Sequence, residues 1–473
     1  MGRIDPLKAK LKDVSEEVCI EALCQPRTQE LAQTALGQAR CEGKRKRLLP
    51  PSFMIWIHIA MPLFRNRSIP GVVRVLLTGM RERFPKLSPH EVTDDALAHA
   101  RARLSVGALV VLFRLLAKTI DPRPVFAGLR VWLLDGSTLD MPDTPENGNR
   151  FGRAKGGNGP GAFPRLRLVV LLDVMSRRVK RFLVMPFSRC EQQASLPLTQ
   201  ELKEGDLVVA DRGFYRIPLL TQLCRQGADF LLRTPKNRKV YRKKALGPGD
   251  WLGWIEWRAP LDRIPKIAGL RVMSRNTQSA RVRLRVRILE YQIQGGSQYR
   301  LMTSLLDEQR YAAKDLARLY AGRWEVEIAF KEIKTHLSQM AGGVARTILR
   351  SKKPKGVLQE VFGLMIAYNL VRGVILEAAE KHGLLPQEIG FVGALETILL
   401  AVGEMAAAQT RRLPLLYDRM LNDLAEHRLR RPRRKRSYPR AVRRRATAYP
   451  TKQRCSRKEK TPMPVQINWG IAA

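Results

Sequence analysis

The segment from Tyr320 to Lys334 carries four side chains whose chemistry suits a phosphate and a metal ion. At about 100° per residue, one continuous helix over 312–338 would place them in a single stripe: Tyr320, Arg323, Glu327 and Lys334. A glutamate can bind a metal ion, while the other three types can hold phosphate oxygens. Taken alone, the segment fits better an ordinary amphipathic helix with ion pairs between neighbouring turns. The phosphate interpretation therefore needs further acidic residues elsewhere.

Two aspartates supply them, because each follows a short apolar run that predicts a buried strand. Asp135 follows 129–134, and Asp211 follows 207–210. Such an Asp is most often a turn or helix-cap residue. Two of them at a sheet rim, with a glutamate from a later helix, would however supply the ligands of a two-metal phosphoryl-transfer site. The rival carboxylates rank second, because none combines a strand end with the spacing of the helix: Asp140, Asp143, Asp173, Glu325 and Glu332.

The elements that must position these acids alternate between strand and helix patterns. Further apolar runs at 166–172, 178–185 and 229–232 predict strands, and 191–202 and 217–225 predict helices. This order is typical of an α/β fold with a mixed sheet. The Gly-rich stretch 148–161 predicts a flexible loop. Residues 52–120 have helical spacing, and their arginines favour a DNA-gripping domain and a plain docking domain about equally.

The stretch between Asp211 and Glu327 is strongly basic. The window 233–300 holds 17 Lys or Arg against four acids. Four arginines alternate with aliphatic residues from Arg281 to Arg287, which predicts a strand with one arginine face. Residues 428–460 hold 16 Lys or Arg and one acid, as is typical of a disordered basic arm that lies on DNA.

Charge points to the partner of the whole chain. Lys and Arg total 85 against 43 acidic residues, a net charge of +42. Nucleic acid is the polyanion that such an excess favours. A membrane is less favoured, because the most apolar early run, 52–64, is too short to span a bilayer and no signal peptide is visible. The six cysteines are scattered without a zinc-site spacing. We expect a cytoplasmic protein.

Three segments together resemble the DDE transposases of bacterial insertion sequences, specifically the insertion-element-four family. The spacing Tyr-x2-Arg-x3-Glu-x6-Lys of that family is met from Tyr320 to Lys334. The stretches Asp135-Gly-Ser-Thr-Leu-Asp and Ala210-Asp211-Arg-Gly-Phe-Tyr resemble its first and second aspartate regions. Each motif alone is weak, whereas all three in order, with a basic insert in the right gap, are specific.

The resemblance implies an RNase H-like, mixed-sheet α/β core interrupted by a β-rich insert. It implies these parts: N-terminal helical, DNA-end-binding domain 1–125, first core part 126–235, basic insert 236–298, second core part with the catalytic helix 299–380, C-terminal helices 381–427 and basic tail 428–473. It also implies a tryptophan that captures a flipped base, for which the insert offers candidates that are more often packing residues: Trp251, Trp254 and Trp257.

The implied reaction is metal-dependent cleavage at the terminal inverted repeats of an insertion sequence, followed by transfer of the 3′ ends into target DNA. Asp135, Asp211 and Glu327 would be the catalytic metal ligands for two Mg²⁺ ions, with Mn²⁺ as a substitute. The phosphate-binding side chains would be those of Tyr320, Arg323 and Lys334. Double-stranded DNA, both element ends and target, would be the partner of a homodimer associated with the nucleoid, without a membrane.

Two alternatives to an active transposase remain open. A descendant that binds DNA without cutting it would have no need for Glu327. A stand-alone nuclease could share the same core, although the basic insert and tail favour a protein that holds DNA ends for joining.

Overall fold

A computed structural model describes residues 26–41, 49–64, 67–79, 92–156, 159–235, 237–264, 266–276, 278–293, 298–337, 349–429, 436–437, 463–464 and 467–469. Most of the basic tail predicted at 428–473 lies outside these residues. The described parts form helices around one large mixed sheet, so the α/β class predicted from the sequence is confirmed.

The N-terminal part is helical, as its apolar spacing predicts. Its helices are α1 (Pro26–Gln38), α2 (Pro51–Ala60), α3 (Ile69–Gly79), α4 (Asp94–Arg103) and α5 (Val106–Lys118). The last two begin at capping side chains: Thr93 accepts from the Ala96 amide and Ser105 from the Gly107 amide. Residues 53–60 of α2 are all buried, so this helix is part of the core and not a DNA-facing surface.

The sheet is built from strands that bracket both predicted aspartates. Its strands are β1 (Arg130–Asp140), β2 (Arg153–Gly156), β3 (Gly159–Asp173), β4 (Val179–Pro186), β5 (Asp206–Ala210), β6 (Asp229–Arg233), β7 (Tyr241–Gly247), β8 (Asp250–Pro260), β9 (Leu270–Arg275), β10 (Ser279–Ile293) and β11 (Gln298–Thr303). The main order is β2-β3-β1-β5-β6-β11-β10-β8-β7, with β4 beside β3 and β9 beside β10. Pairing of β1 with β5, and of β5 with β6, is parallel; the remaining pairs are antiparallel.

Alternate residues of β1 enter two different cores. Leu133 belongs to the larger core with the N- and C-terminal helices, whereas Leu134 belongs to a smaller core with α7 (Gln192–Thr199) and α8 (Ile217–Arg225). A strand that is buried on both faces reads as a continuous apolar run. That is why apolar and polar residues do not alternate over 129–134.

Two expectations about local structure are wrong. The stretch predicted as a loop at 148–161 is part of helix α6 (Pro145–Phe151) and of the β2–β3 hairpin. The single helix predicted over 312–338 is two helices, α9 (Ala313–Ala321) and α10 (Trp324–Lys334). The division falls at Gly322, where three-residue hydrogen bonds replace the four-residue pattern.

The longest helix, α11 (Pro354–Lys381), runs through the core and packs against α2 and α5. It is long and apolar enough to cross a bilayer, but 72% of its most apolar window is buried inside the protein, as in a core helix. Helices α12 (Phe391–Ala407) and α13 (Leu413–Glu426) follow. Three short strands complete the described residues: β12 (Arg436–Ser437), β13 (Met463–Pro464) and β14 (Ile467–Trp469).

The arginine face predicted on β10 is only partly exposed. Arg281 and Arg285 face solvent, but Arg287 is fully buried. Its Nε and Nη2 donate to the two carboxylate oxygens of Asp250 at 2.8 and 2.6 Å, and its Nη1 donates to the Tyr311 carbonyl at 2.7 Å. The period of two correctly places the four arginines on one face, yet that face becomes covered towards the end of the strand.

Candidate active site

The sequence predicted that Asp135 ends a strand, but Asp135 lies inside β1, five residues before its end at Asp140. The strand continues to Asp140 because β3 pairs with it over that whole stretch, while the parallel pairing with β5 ends at Leu134 opposite Ala210. Asp135 is therefore the first residue of β1 beyond its parallel neighbour. Asp135 lies at an edge because β5 ends before β1 does, so its position at the rim depends on the neighbouring strand.

The surroundings of Asp135 make its charge costly. Burial raises the pKa of Asp135 to about 6, and the negative charges of Glu191 and Glu327 add to the rise, against a hydrogen bond from the Gly136 amide and the charge of Arg323. The amide nitrogen lies 2.8 Å from Oδ1. A carboxylate in such a setting gains from a nearby cation.

Asp211 is the first residue after β5, so the parallel strands bring it beside Asp135. The Tyr320 hydroxyl, at the end of α9, donates to its Oδ1 at 3.1 Å. Burial and the charge of Asp211 both raise the pKa of Tyr320. The phenol therefore stays protonated and acts as a hydrogen-bond donor at this rim.

Glu327 reaches the same rim from α10 through Arg323, the residue that precedes this helix. One guanidinium nitrogen of Arg323 lies 3.2 Å from Asp135 Oδ2, and the other lies 3.2 Å from Glu327 Oε1. Burial opposes the charge of Arg323, but the neighbouring Tyr320 and the carboxylates raise its pKa. The carboxylate of Glu327 remains 41% exposed, which leaves it open to a ligand.

Lys334 lies at the other end of α10. Its ammonium is 5.9 Å from the centroid of the Phe330 ring. Burial lowers the pKa of Lys334, while the negative charge of Asp140 opposes that change and Arg165 adds to it. The structure therefore brings Tyr320, Arg323 and Glu327 to the two aspartates, and places Lys334 in a separate charged group beside Asp140.

The rival carboxylates all have partners within the fold. Each makes hydrogen bonds or an ion pair to a side chain other than the six predicted site residues: Asp140 to Arg165, Asp143 to Arg153, Asp173 to Ser176, Glu325 to Arg177 and Glu332 to Arg177, Arg372 and Tyr368. These contacts give each rival a structural role, which supports ranking them below Asp135, Asp211 and Glu327.

Sequence reasoning missed two groups near this site. One is Glu191, whose carboxyl lies against Gly136; glycine directly after the first aspartate is the sequence signal that could have indicated it. The other is the set of partners of Glu332. Arg177 has φ 56° in the turn between β3 and β4, and Arg372 comes from α11. No local pattern marks either arginine as a partner of α10.

The three tryptophans of the region 236–298 differ in their surroundings. Trp251 is buried, and its indole nitrogen lies 3.3 Å from Glu290. Trp254 is half-buried, with Lys243 and Arg271 over its ring at 5.7 and 5.4 Å from the centroid. Trp257 is also half-buried and packs against the apolar cores. Burial makes Trp251 a packing residue.

The chemistry of the rim fits a cation, although the three carboxylates do not form one close cluster. Among the residues that the structure describes, no three acidic, histidine or cysteine side chains lie close enough together to hold a metal ion. The guanidinium of Arg323 nevertheless bridges Asp135 and Glu327. Two of the three carboxylates thus already share a positive charge, and hard oxygen donors of this kind suit a divalent ion.

An acidic rim on a mixed sheet, within a chain of net charge +42, defines a protein that handles nucleic acid phosphates. Residues 127–370 match the family described as Transposase DDE domain, and residues 17–114 match the one described as Insertion element 4 transposase N-terminal. The first match covers more than half of the chain. This chain belongs to the DDE transposases of the insertion-element-four family, as its sequence motifs predicted.

Individual relatives are similar along most of the chain. The transposase InsG for insertion sequence element IS4 of Escherichia coli (strain K12) is 28% identical over 434 residues, which is 89% of this chain and 91% of InsG. The transposase y4zB of Sinorhizobium fredii is 25% identical over 296 residues, 60% of this chain and 72% of y4zB. A piggyBac transposase synaptic complex with hairpin DNA aligns at TM-score 0.40 and 10% identity, over 89% of this chain and 85% of the piggyBac chain, which is a distant likeness.

Membership of the family fixes the class of reaction. The chain is a DNA transposase, an enzyme that cleaves DNA and transfers strands by metal-dependent phosphoryl transfer.

Proposed function

We propose that Asp135, Asp211 and Glu327 are the catalytic residues of this transposase and hold two Mg²⁺ ions, which Mn²⁺ can replace. The observation that carries the proposal is the contact set at the rim: Tyr320 donates to Asp211, and Arg323 bridges Asp135 and Glu327. Residues separated by up to 192 positions in sequence thus lie along the same rim of the sheet. Bound divalent ions would supply the positive charge that activates an attacking oxygen and stabilises the leaving one.

The remaining side chains of the signature act on the DNA phosphate in this proposal. The Tyr320 hydroxyl stays protonated and would turn its single proton from Asp211 to a phosphate oxygen when DNA binds. Arg323 offers a planar guanidinium that can bind two oxygens at once. Lys334, at the far end of α10, holds a phosphate further along the strand. The substrate is the terminal repeat of an insertion sequence, and the product strands join target DNA.

The fold supports a finer architecture as part of the same proposal. Three antiparallel strands, β1, β3 and β4, precede the parallel strands β5 and β6, which is the order expected of an RNase H-like core. Strands β7–β10 then form the insert at 236–298, with exposed arginines such as Arg285 available to DNA. The proposed parts remain 1–125, 126–235, 236–298, 299–380, 381–427 and 428–473.

Two DNA ends must be held together before they are joined, so we propose that a homodimer acts on DNA at the nucleoid, in the cytoplasm. The basic insert and tail would bind phosphates along both duplexes. Binding of this kind releases counterions, and we therefore expect the affinity for element-end DNA to fall steeply between 50 and 200 mM salt, by roughly 10³-fold or more. A flat salt response, measured by gel shift, would contradict this use of the +42 charge.

The test of the assignment separates cutting from binding. Purified full-length protein would be given labelled DNA that carries the element's own ends, with Mg²⁺, and cleavage and gel shift would be measured in parallel. We expect Asp135→Asn, Asp211→Asn and Glu327→Gln each to abolish cleavage and to keep binding.

Asp315→Asn is the matched control, because Asp315 is exposed and pairs only with Arg318 on the same helix in the contacts that the structure describes. It should cut normally. Cleavage by any of the three rim variants at the wild-type rate would show that the acid concerned is not catalytic. Loss of binding together with cleavage would assign that acid to the DNA-binding surface.

A further inference from the structure

A single arginine, Arg177, binds two carboxylates of α10, the helix that carries Glu327. Arg177 lies in the turn between β3 and β4, and its side chain is only 7% exposed. Its Nε donates to Glu325 Oε2 at 2.6 Å, and its Nη1 donates to Glu332 Oε1 at 2.8 Å. These charge-assisted contacts join the turn to both ends of the helix.

The spacing of the two acids fixes the rotation of α10. Glu325 and Glu332 are seven residues apart, which is about two helical turns, so both lie on the same side of the helix. At about 100° per residue, Glu327 lies about 140–160° around the helix from them. A rotation or a slide of α10 would move one carboxylate away from the guanidinium. The two contacts together therefore set the direction of Glu327.

The backbone of Arg177 indicates that its side chain is the reason for the residue. Its φ is 56°, in the left-handed region that glycine and asparagine adopt more readily than arginine does. Either of those residues would suit the turn, but neither has a side chain long enough to bind both acids. A strained position that is kept in this way is typical of a residue with a function.

The turn that carries Arg177 is itself held in place. The Arg177 amide donates to the Asp173 carbonyl at 2.9 Å, and the Ser176 hydroxyl donates to Asp173 Oδ2 at 2.6 Å. The side-chain amide of Gln387, from the segment between α11 and α12, donates to the Met175 carbonyl at 2.8 Å. A turn with these contacts can fix a helix that packs beside it.

We propose that Arg177 is a positioning residue: its two contacts fix the rotation of α10 and thereby direct Glu327 to the rim. The inference rests on the proposed catalytic role of Glu327. Catalytic groups must be held within roughly 0.5 Å of their productive position. A displacement of about 1 Å can lower the rate roughly 100-fold, so a helix that turns slightly would lose activity while the protein stays folded.

The first test compares Arg177→Lys with wild type in the full-length protein. Lysine keeps the positive charge in the buried cluster but has one ammonium in place of the planar fork, so it cannot reproduce both contacts. Hydrogen exchange followed by mass spectrometry would measure the opening of α10, and cleavage with end DNA in excess would measure catalysis. We expect faster exchange in α10 and a cleavage rate constant roughly 10-fold lower, with DNA affinity unchanged.

Arg130→Lys is the matched control, because Arg130 is also a paired arginine of the sheet region. Its Nε donates to Asp206 Oδ1 at 2.7 Å, and its Nη2 donates to the Glu204 carbonyl at 2.8 Å. Neither contact involves α10. We expect wild-type exchange in α10 and a wild-type rate constant. The amplitude of cleavage counts the folded protein, whereas the rate constant reports on the chemical step, so partial unfolding would lower only the amplitude.

The outcomes separate this inference from the proposed function. If Glu327→Gln loses cleavage while Arg177→Lys keeps the wild-type rate constant, the role of Arg177 is overturned and the assignment of Glu327 stands. Unchanged exchange in α10 of Arg177→Lys would overturn the inference as well. If Glu327→Gln cleaves as wild type does, the assignment of Glu327 fails, and the inference about Arg177 fails with it.

A second test uses Glu325→Gln, which weakens one of the two contacts at a side chain that is 27% exposed. Alone, it should lower the cleavage rate constant and leave DNA affinity unchanged. In the Arg177→Lys background it should lower the rate constant much less, because the contact is already weakened there. An equal factor in the two backgrounds would show that the two residues act independently, and would overturn the proposal.

Discussion

Two glutamates on α10 lie five residues apart and have opposite environments. Glu327 is 41% exposed, and Arg323, its partner, also contacts Asp135. Glu332 is 4% exposed and accepts from Arg177, Arg372 and Tyr368. Burial would raise the pKa of Glu332, but the two arginines outweigh it and the pKa is lowered. One face of the helix keeps its carboxylate available, whereas the other face uses its carboxylate to fix the helix.

The difference shows how the fold separates a carboxylate that can bind a ligand from one that stabilises the helix. A carboxylate with several buried donors is saturated and cannot accept a new ligand without losing them. A half-exposed carboxylate beside a second acid retains unsatisfied negative charge, which a metal ion or a phosphate-binding group can use. Residue type alone therefore does not identify the catalytic glutamate.

The largest expected effect is on catalysis at the open face. Glu327→Gln should abolish detectable DNA cleavage, which means a loss of roughly a thousandfold or more in rate. Removing a metal ligand should cost about 4 kcal/mol of transition-state stabilisation, and that energy corresponds to this factor. The Tm should stay close to that of wild type, since Glu327 is half-exposed. Single-turnover cleavage and thermal unfolding would be measured on the same preparation. A variant that loses cleavage only because it unfolds would break the contrast between the two faces.

The next largest effect is on the free energy of unfolding, at the buried face of α10. Glu332→Gln should lower the free energy of unfolding by about 3–5 kcal/mol, because it leaves Arg372, which is 0% exposed, without its counter-charge. Urea unfolding measures this loss. Glu404→Gln removes an acid that is 49% exposed and paired with exposed Arg419, so it should cost under about 1 kcal/mol. Equal losses for the two variants would refute a special role for the buried cluster.

The third prediction concerns the pH dependence of stability at Asp135. The folded protein raises the pKa of Asp135 from 3.8 to about 6, so it binds this proton more tightly than the unfolded chain does. Protonated Asp135 makes its full contribution to the free energy of unfolding below pH 3.8, and this contribution is lost as the pH rises through 6.

The free energy of unfolding of Asp135→Asn should therefore exceed that of wild type by roughly 1–3 kcal/mol at pH 8. The gain should vanish near pH 4. Urea unfolding of both proteins across this range would measure it. An equal stability difference at pH 4 and pH 8 would contradict burial as the source of the raised pKa.

The smallest expected effect is that of Arg285 on DNA binding. It tests whether β10, like α10, has one exposed and one buried charged residue. Arg285 is exposed, whereas Arg287 on the same face is fully buried against Asp250. Arg285→Ala should weaken DNA binding at every sequence alike and reduce the salt slope by about one unit, with Tm unchanged. Arg287→Ala should lower Tm instead. Gel shifts at several salt concentrations would decide, and an unaltered slope for Arg285→Ala would exclude it from the DNA-binding surface.

Local patterns predicted the elements that depend on short stretches of chain. The strand at 207–210 and the helix at 217–225 are confirmed with nearly the same bounds, because a short apolar run and a helical period are properties of neighbouring residues. The break between α9 and α10 was missed. A glycine inside a helical pattern can be tolerated or can end the helix, so Gly322 gave no decisive signal.

The sequence by itself determined the family, the order of the three acids and the basic character of the chain. Those features depend on residue types and on spacings along one strand or helix, which the chain carries whatever its conformation.

Only the tertiary structure decided which charges meet. It ended β5 opposite Leu134 and so opened the rim at Asp135, and it placed Arg323 between two acids. It also buried Glu332 among arginines and brought Glu191 to Gly136. Burial and pairing depend on residues tens to hundreds of positions away, so the chemistry of a carboxylate is set only when the distant parts of the chain have packed around it.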